Sequence, residues 1–420
     1  MQGRVNRGIP VPHAQITPVP KLGPVADPPE GSSKLLIEMG PSHPAMHGTV
    51  KIRAVLDGET IERADVDVGY LHRGFEKSCE AATWTMIFPY TDRLNYVSPL
   101  INNNAYAMAV EKLFGLEIPE RAKYLRVIAA EMSRIGDHFT CVGASTMELG
   151  AFTVLLYLLE CRDMMWDAVE ELCGARMTVS YARIGGVVAD LPQGFSGRLL
   201  ERIARMEQLL DDVEKLLTKN RIFIERTKGI GQMAAADAIN WGWTGPCLRS
   251  TGVAYDVRRA SPYDVYDRLD FDIPVGARGD NYDRYLVRMF EIRESIKILR
   301  QALAQIDDTP PAVMVDDPRV RLPDKEKVHT AIEELMNHFK IIIDGVQVPK
   351  GEAYAYCEGA NGELGFYIVS DGGGRPLKIR CRPPCWPMMS SLQSLLEGTM
   401  IADMVPTFGS INMIGGECDR

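Results

Sequence analysis

This 420-residue sequence is first bounded by what it lacks. Its nine cysteines, at positions 79, 141, 161, 173, 247, 357, 381, 385 and 418, form no CxxC anywhere. Cys381 and Cys385 are the one close pair, and a lone CxxxC does not complete a zinc or iron–sulfur ligand set. An odd, scattered set of thiols fits a reducing compartment, with most of them acting as small buried hydrophobes. There is no basic excess: 47 Lys and Arg stand against 56 Asp and Glu, for a net charge of −9. That excludes the basic patch of a nucleic-acid surface and gives no general attraction to anionic lipid. Long apolar runs are missing too. The best, Ala151 to Leu159, covers nine residues and contains Thr153, where a spanning helix needs about 20. The first 30 residues hold seven prolines instead of an apolar segment, so no signal peptide is expected and the chain should stay where it is made. Gly229 to Ala234 fits GxGxxA by letter, but the pattern before it is helical, whereas a dinucleotide site follows a strand. Gly372 to Gly374 reads as a hairpin turn, since no helix N-terminus follows to hold phosphate.

What the sequence does have is concentrated in one place. Only seven histidines occur, and His43 and His47 both lie in Gly40-Pro41-Ser42-His43-Pro44-Ala45-Met46-His47-Gly48. Pro41 and Pro44 fix φ and bias Gly40 and His43 towards extended backbone, which predicts a stiff, non-helical loop. A metalloprotease pair needs both histidines on one helical face, and Pro44 prevents that. Lys34–Met39 before the loop reads as a strand. Alternation in Thr49–Asp57 and again from Thr60 to Val68, with Asp57-Gly58 between, predicts a hairpin. The loop should therefore project from the edge of a small sheet. From the residues alone, self-hydrogen-bonding of the loop is the plainer role for its imidazoles.

Downstream the period changes to that of helices. A helix is expected at about 99–114. Leu125, Ile128, Met132, Ile135, Phe139 and Val142 form one apolar stripe, and a second helix follows at about 151–175. Further stripes run from Leu199 to Leu217, from Met289 to Ile306, and through Val328, Ile332, Leu335, Phe339 and Ile342 at about 324–343. These predict a helical bundle core. The stretch 227–280 is irregular, of a length that is usually functional or interfacial. A hairpin is expected at Leu364–Val369 and Leu377–Cys381, with a last helix at about 389–400. The expected fold is mainly α with small β elements, divided as an extended or disordered arm (1–30), an N-terminal β region with the histidine loop (31–96), a helical bundle (97–345) and a C-terminal α+β region (346–420).

An ordered set of motifs gives these elements a context: GPSHPAMHG, GYLHRGFEK, PYTDRLNY, AVEKLFG, GARM, RIGGV, DLP, TGVAYDVR, PYDVYD, FDIPVGARGD, FEIRES, VSDGGGRP and a final GECDR. Together they resemble the D subunit of respiratory complex I, the quinone-site subunit of NADH:quinone oxidoreductase, across about 40–420. The resemblance implies a fold like that of the [NiFe] hydrogenase large subunit. It implies that His47 and Tyr96 contact the quinone head group, with Glu148 supporting the imidazole, and that this chain holds neither metal nor NAD. It further implies a neighbouring subunit with the terminal [4Fe–4S] cluster, membrane-arm subunits at the quinone entrance, and a peripheral position on the cytoplasmic side of a bacterial inner membrane. The complex as a whole would pass electrons from NADH to quinone and pump protons.

Three positions depart from that family. Asn95 replaces the aspartate that usually precedes the quinone-site tyrosine, so an acid is expected to be missing beside Tyr96. Glu148 stands for aspartate in MELGA. Thr178 follows GARM where many relatives carry a histidine near the cluster. Two alternatives are a [NiFe] hydrogenase-type large subunit and a non-catalytic scaffold. The first requires paired cysteines near both ends, where this chain has Arg93-Leu94-Asn95-Tyr96 and Glu417-Cys418-Asp419-Arg420.

Overall fold

The structure is a computed structural model that describes residues 25, 27–29, 31–46 and 49–420. The expected arm over 1–30 therefore lies largely outside the described residues, and His47 lies outside them too. The fold is mainly helical, with three small antiparallel sheets. Its axis is the 29-residue helix Glu120–Glu148, hereafter the central helix. It is enclosed by the helices Pro99–Phe114, Phe152–Cys173, Asn281–Gln305 and Ile401–Ile411. The predicted stripe from Leu125 to Val142 is buried, as are those of the helices Phe195–Leu217 and Asn281–Gln305. Enclosure has a consequence that an apolar stripe does not show: Glu131, Arg134 and His138, off the stripe, are buried as well.

The N-terminal sheet has the order β1 (Leu35–Met39), β2 (Lys51–Asp57), β3 (Thr60–Asp67), all antiparallel. Asp57 pairs with Thr60, so the tight turn is Gly58-Glu59, one residue later than Asp57-Gly58. The β1–β2 connection carries the histidine loop. Met46 turns inward and is buried with Val50, Ile52, Phe408 and Ile411. His43 is exposed, and its Nδ1 accepts the Ala45 N–H at 3.2 Å, the local hydrogen bond that the residues alone suggest.

Besides the last expected helix, which spans Cys385–Leu396 and is followed by an unexpected one, Ile401–Ile411, two elements differ from expectation. The C-terminal sheet has a third strand, Gly351–Glu358, paired along its length with Glu363–Ser370, which in turn pairs with Lys378–Arg382. Its buried face is Ala353, Ala355 and Cys357, set against the helix Pro99–Phe114. Small residues suit that close approach but carry little strand signal. The second difference is at 324–343, which forms two short helices, Lys325–Thr330 and Ile332–Ile343, with no buried residue. Ile332, Leu335, Phe339 and Ile342 are exposed, Phe339 by 62%. Periodicity identifies an amphipathic helix; it does not say that something covers the apolar side.

Candidate functional site

Tyr96 is placed by its neighbours in sequence. Phe88–Asp92 is a single helical turn, and Asn102 on the next helix ties it down by donating to the Thr91 carbonyl (3.1 Å) and the Asn95 carbonyl (2.9 Å). Asn95 is buried. Its Oδ1 accepts from Val97 N at 3.2 Å and Ser98 N at 3.4 Å, and its Nδ2 donates to Asp137 on the central helix at 2.7 Å. The turn holding Tyr96 is thus fixed on both sides, while Tyr96 itself is 39% exposed.

Tyr96 forms part of the wall of a cavity of about 210 Å³. Thr140, Cys141 and Ala144 of the central helix contribute another wall, Arg162 and Trp166 of the helix Phe152–Cys173 a third, and Phe408, Gly409 and Asn412 a fourth. The lining is largely apolar with a few placed polar groups, the usual make-up of a small-molecule site. The Arg162 guanidinium lies 4.2 Å from the Trp166 ring centroid. Burial holds it below the ordinary arginine range, and among the described residues no carboxylate forms an ion pair with it. The Tyr96 phenol is pushed above its ordinary 10 by burial first and by the Asp137 charge second, so it keeps its proton at neutral pH.

Glu148 ends the central helix two turns beyond Cys141. Its carboxylate lies directly on Gly409, where a Cβ would stand 2.2 Å from Oε2. Any side chain at 409 would evict the carboxylate, so glycine there admits the contact. Tyr96 and Glu148, far apart in sequence, are brought to the same segment of the helix Ile401–Ile411, Gly409 being common to both. The described residues on either side of His47 arrive nearby, through Met46 and Val50 in the cluster with Phe408 and Ile411.

Asp137, Cys141 and Ala144 of the site, unlike Glu148, are invisible to motif reading. Asp137, Cys141, Ala144 and Glu148 follow one another at spacings of four, three and four. They make a second, mixed stripe on the central helix that a search for apolar residues passes over. A buried ionic network on a further face is equally hidden. Arg258 joins Asp256 (2.7 Å), Glu291 (3.0 Å) and Glu131 (3.2 Å), while Arg249 joins Glu291 and Glu358, both at 2.7 Å. His138 Nε2 lies 2.8 Å from Glu291. Arg134 pairs with Glu131 at 3.3 Å and donates to the Gly359 and Glu358 carbonyls. Arg249, Asp256 and Arg258 all come from the irregular stretch 227–280. These three polar residues of the stretch are therefore interior anchors.

Three motifs that are distant in sequence meet beside the site. Gly416 packs on the Arg93 and Leu94 carbonyls, with room for a Cβ only at 2.5 and 2.8 Å. The Asp419 carboxylate accepts from Gly69 N (2.9 Å) and Leu71 N (2.8 Å), and Arg73 donates to the Arg93 and Gly416 carbonyls. This meeting point is where a nickel–iron reading needs paired thiolates. The 93–96 segment brings no cysteine and the terminal segment brings Cys418 alone. Burial raises the Cys385 and Cys418 thiols above their ordinary range. Among the described residues, no three His, Cys, Asp or Glu side chains are grouped as a metal site.

Comparison with known proteins agrees with this architecture. Residues 148–420 match the family described as respiratory-chain NADH dehydrogenase, 49 Kd subunit. A D subunit of the NADH-quinone oxidoreductase of Sorangium cellulosum is 56% identical over 389 residues, covering 93% of this chain and 96% of that protein. The D subunit of the Myxococcus xanthus enzyme is 54% identical, covering 93% of each. The C/D subunit of the Bdellovibrio bacteriovorus enzyme is 47% identical over 92% of this chain and 69% of its own length. With the motif order, the enclosed helical core and these extensive identities in agreement, the chain belongs to the family of the 49 kDa, or D, subunit of respiratory-chain NADH dehydrogenase.

Proposed function

We propose that this chain forms the quinone-reduction site of a proton-pumping NADH:quinone oxidoreductase, together with a neighbouring subunit that holds a [4Fe–4S] cluster. The observation that carries the proposal is the cavity with Tyr96 on one wall and Arg162 and Asn412 on others. Reduction of a quinone to a quinol consumes two electrons and two protons. The neighbour's cluster supplies the electrons. The proton side belongs to this chain. Tyr96 keeps its proton near neutrality and donates a hydrogen bond to one quinone carbonyl. His47 takes the other carbonyl, since an imidazole titrates near neutrality and can pass a proton on. Glu148 steadies that imidazole and favours its charged form. Asn412 and Arg162 offer further donors to a polar head group, and the apolar lining excludes water.

In this reading residues 31–96 contribute the histidine loop and Tyr96, 97–345 the bundle that backs the cavity, and 346–420 the elements that close it. Among the described residues no helix is long and apolar enough to cross a membrane. We place the chain peripherally, at the cytoplasmic side of a bacterial inner membrane, held there by the cluster-bearing neighbour and by membrane-arm subunits that admit the quinone. Tyr96→Phe tests the reading in the assembled complex. It keeps the ring and removes the hydroxyl. Quinone reduction should fall by about 100-fold, the scale of one proton donor, while NADH oxidation by an artificial acceptor persists. Unchanged quinone turnover would reject the assignment, and equal loss of both activities would return the residue to a structural role.

A further inference from the structure

We propose that Asp137 is the acidic partner of Tyr96 in this chain, a positioning residue acting through Asn95, so that the carboxylate absent from position 95 is supplied by the central helix. The sequence alone leaves an acid missing beside Tyr96. The structure puts one there. Asp137 is 1% exposed and has one oxygen on each of two amides. Oδ2 accepts from Asn95 Nδ2 at 2.7 Å, and Oδ1 accepts from Asn412 Nδ2 at 2.6 Å. Asn95 passes the connection on to Val97 N and Ser98 N, on the far side of Tyr96. Asn412 lines the cavity with Tyr96, and its Nδ2 also reaches Asn361 Oδ1 at 2.6 Å. Among the described residues no arginine, lysine or histidine forms an ion pair with Asp137. It is therefore held by amides rather than by a directly paired cation, and it acts on the phenol beside it as it does on Arg288 and His138.

The role is electrostatic as well as geometric. A negative charge beside a phenol disfavours the phenolate and keeps the hydroxyl protonated as a donor. Other ionisable groups surround the pair: Cys141 and Arg162 on the cavity walls, Arg176 in the adjoining cleft, and His138, Arg288 and Glu417 around Asp137. None of these makes a hydrogen bond to Asp137 or Tyr96 among the described residues. The inference rests on the reading of Tyr96 as the quinone's hydrogen-bond donor.

The hydrogen-bond pattern supplies its own test, because the two side chains are exchangeable. In the double variant N95D/D137N, the new carboxylate at position 95 accepts from Val97 N and Ser98 N as the Asn95 oxygen now does. It also accepts from the new amide at position 137, whose oxygen accepts from Asn412 Nδ2. Every bond is kept, and the charge moves to the residue next to Tyr96. Asp137→Asn alone removes the charge and turns an amide donor towards Asn412. Asn95→Asp alone sets two carboxylates face to face, which must share a proton. The measurement is quinone turnover of the assembled complex over a pH series, normalised to artificial-acceptor activity. Asp137→Asn should lose about tenfold in quinone kcat/KM, the equivalent of one pK unit, and its high-pH limb should move to lower pH as the phenol loses its charged neighbour. N95D/D137N should recover to within about twofold, with its limb at or above that of the wild type. Wild-type turnover and profile in Asp137→Asn, or a double variant no better than the single, would overturn the proposal. If Asp137→Asn does not assemble, the double variant decides alone, and a limb moved to lower pH counts against. An unaffected Tyr96→Phe would instead remove the underlying reading, so the two failures are told apart.

Discussion

The central helix presents two polar faces that differ in kind. One carries Glu131, Arg134 and His138 into a closed network with Arg249, Asp256, Arg258, Glu291 and Glu358, in which each arginine has at least one carboxylate within 3.3 Å. The other carries Asp137, Cys141 and Glu148 towards the cavity, where Arg162 has a tryptophan face instead of a carboxylate among the described residues. Backbone strain leans towards the open face, with one exception. Four described non-glycine residues have positive φ: Thr49, Thr178, Asp264 and Asn412. Asn412 lines the cavity, Thr178 follows a lining residue and Thr49 adjoins the histidine loop, whereas Asp264 does not line it and lies in the irregular stretch, its carboxylate accepting from Asn104 Nδ2 at 2.8 Å. Unpaired charge and strained backbone are costs that a scaffold removes and a working site retains. The closed face is therefore read as structural and the open face as functional.

The largest expected effect tests the closed face. Arg258 is held by Asp256, Glu291 and Glu131, and its guanidinium lies 5.0 Å from the Phe271 ring centroid. Arg258→Met keeps much of the volume but leaves three buried carboxylates short of a cation. Breaking a buried pair in this way costs about 3–5 kcal/mol. Assembled complex should be scarce, and what assembles should melt early with quinone and artificial-acceptor activities lowered together. Normal assembly and melting would remove the structural reading of that face and the comparison with it.

An intermediate effect is expected on the open face. Glu148→Gln keeps the shape that rests on Gly409 and removes the charge. Quinone reduction should fall by about tenfold, one pK unit of support for the imidazole, with melting and artificial-acceptor activity unchanged. Glu148→Asp should retain more activity, since it keeps the charge with a shorter reach. Wild-type turnover and pH profile in Glu148→Gln would sink its pairing with His47. A fall in melting equal to that of Arg258→Met would place Glu148 with the closed face.

Much of this is legible in the sequence, and the rest is hidden for identifiable reasons. The stripes of the long helices and the alternation of β2 are direct images of burial on one side, and the structure has them where the periods place them; in β3 a register shift opposite Val55 and Leu56 buries Ile61 with Ala64 and leaves Thr60 and Glu62 exposed. Buried charge has no such image. Glu131, Arg134, Arg249 and Arg258 look like solvated surface residues until partners more than 100 positions away are brought to them. The strand Gly351–Glu358 is hidden by its small buried residues. The apolar stripe of Ile332–Ile343 reads wrongly as core because a pattern records the side, not its cover. Tyr96 and Glu148 are found through motif resemblance. Asp137 escapes it because Asn95 looks like the loss of an acid, and nothing in the linear sequence says that position 137 faces position 95.

The smallest effect is expected at Thr178, and it bears on the strain half of the comparison. Thr178 has φ of +56° in the bend after the helix Phe152–Cys173, and its hydroxyl donates to the Met177 carbonyl at 2.6 Å. A left-handed backbone costs an ordinary residue about 1–2 kcal/mol, and a β-branched side chain is the least suited to it. Asparagine and histidine are tolerated there more readily. Thr178→Asn should therefore stabilise the assembled complex by up to about 1 kcal/mol, whereas Thr178→Val, which keeps the branch and loses the hydroxyl, should gain nothing. Equal melting of the asparagine and valine variants would show that the bend stores no strain in the side chain. Thr178→His shares the conformational advantage of asparagine and adds a group that titrates between about pH 5 and 8. If this bend lies near the neighbour's cluster, as the resemblance implies, the cluster's potential should gain a pH-dependent step over that range. Redox titrations that superimpose for the two proteins, together with unchanged melting, would leave Thr178 as a bend residue with no part in the open face.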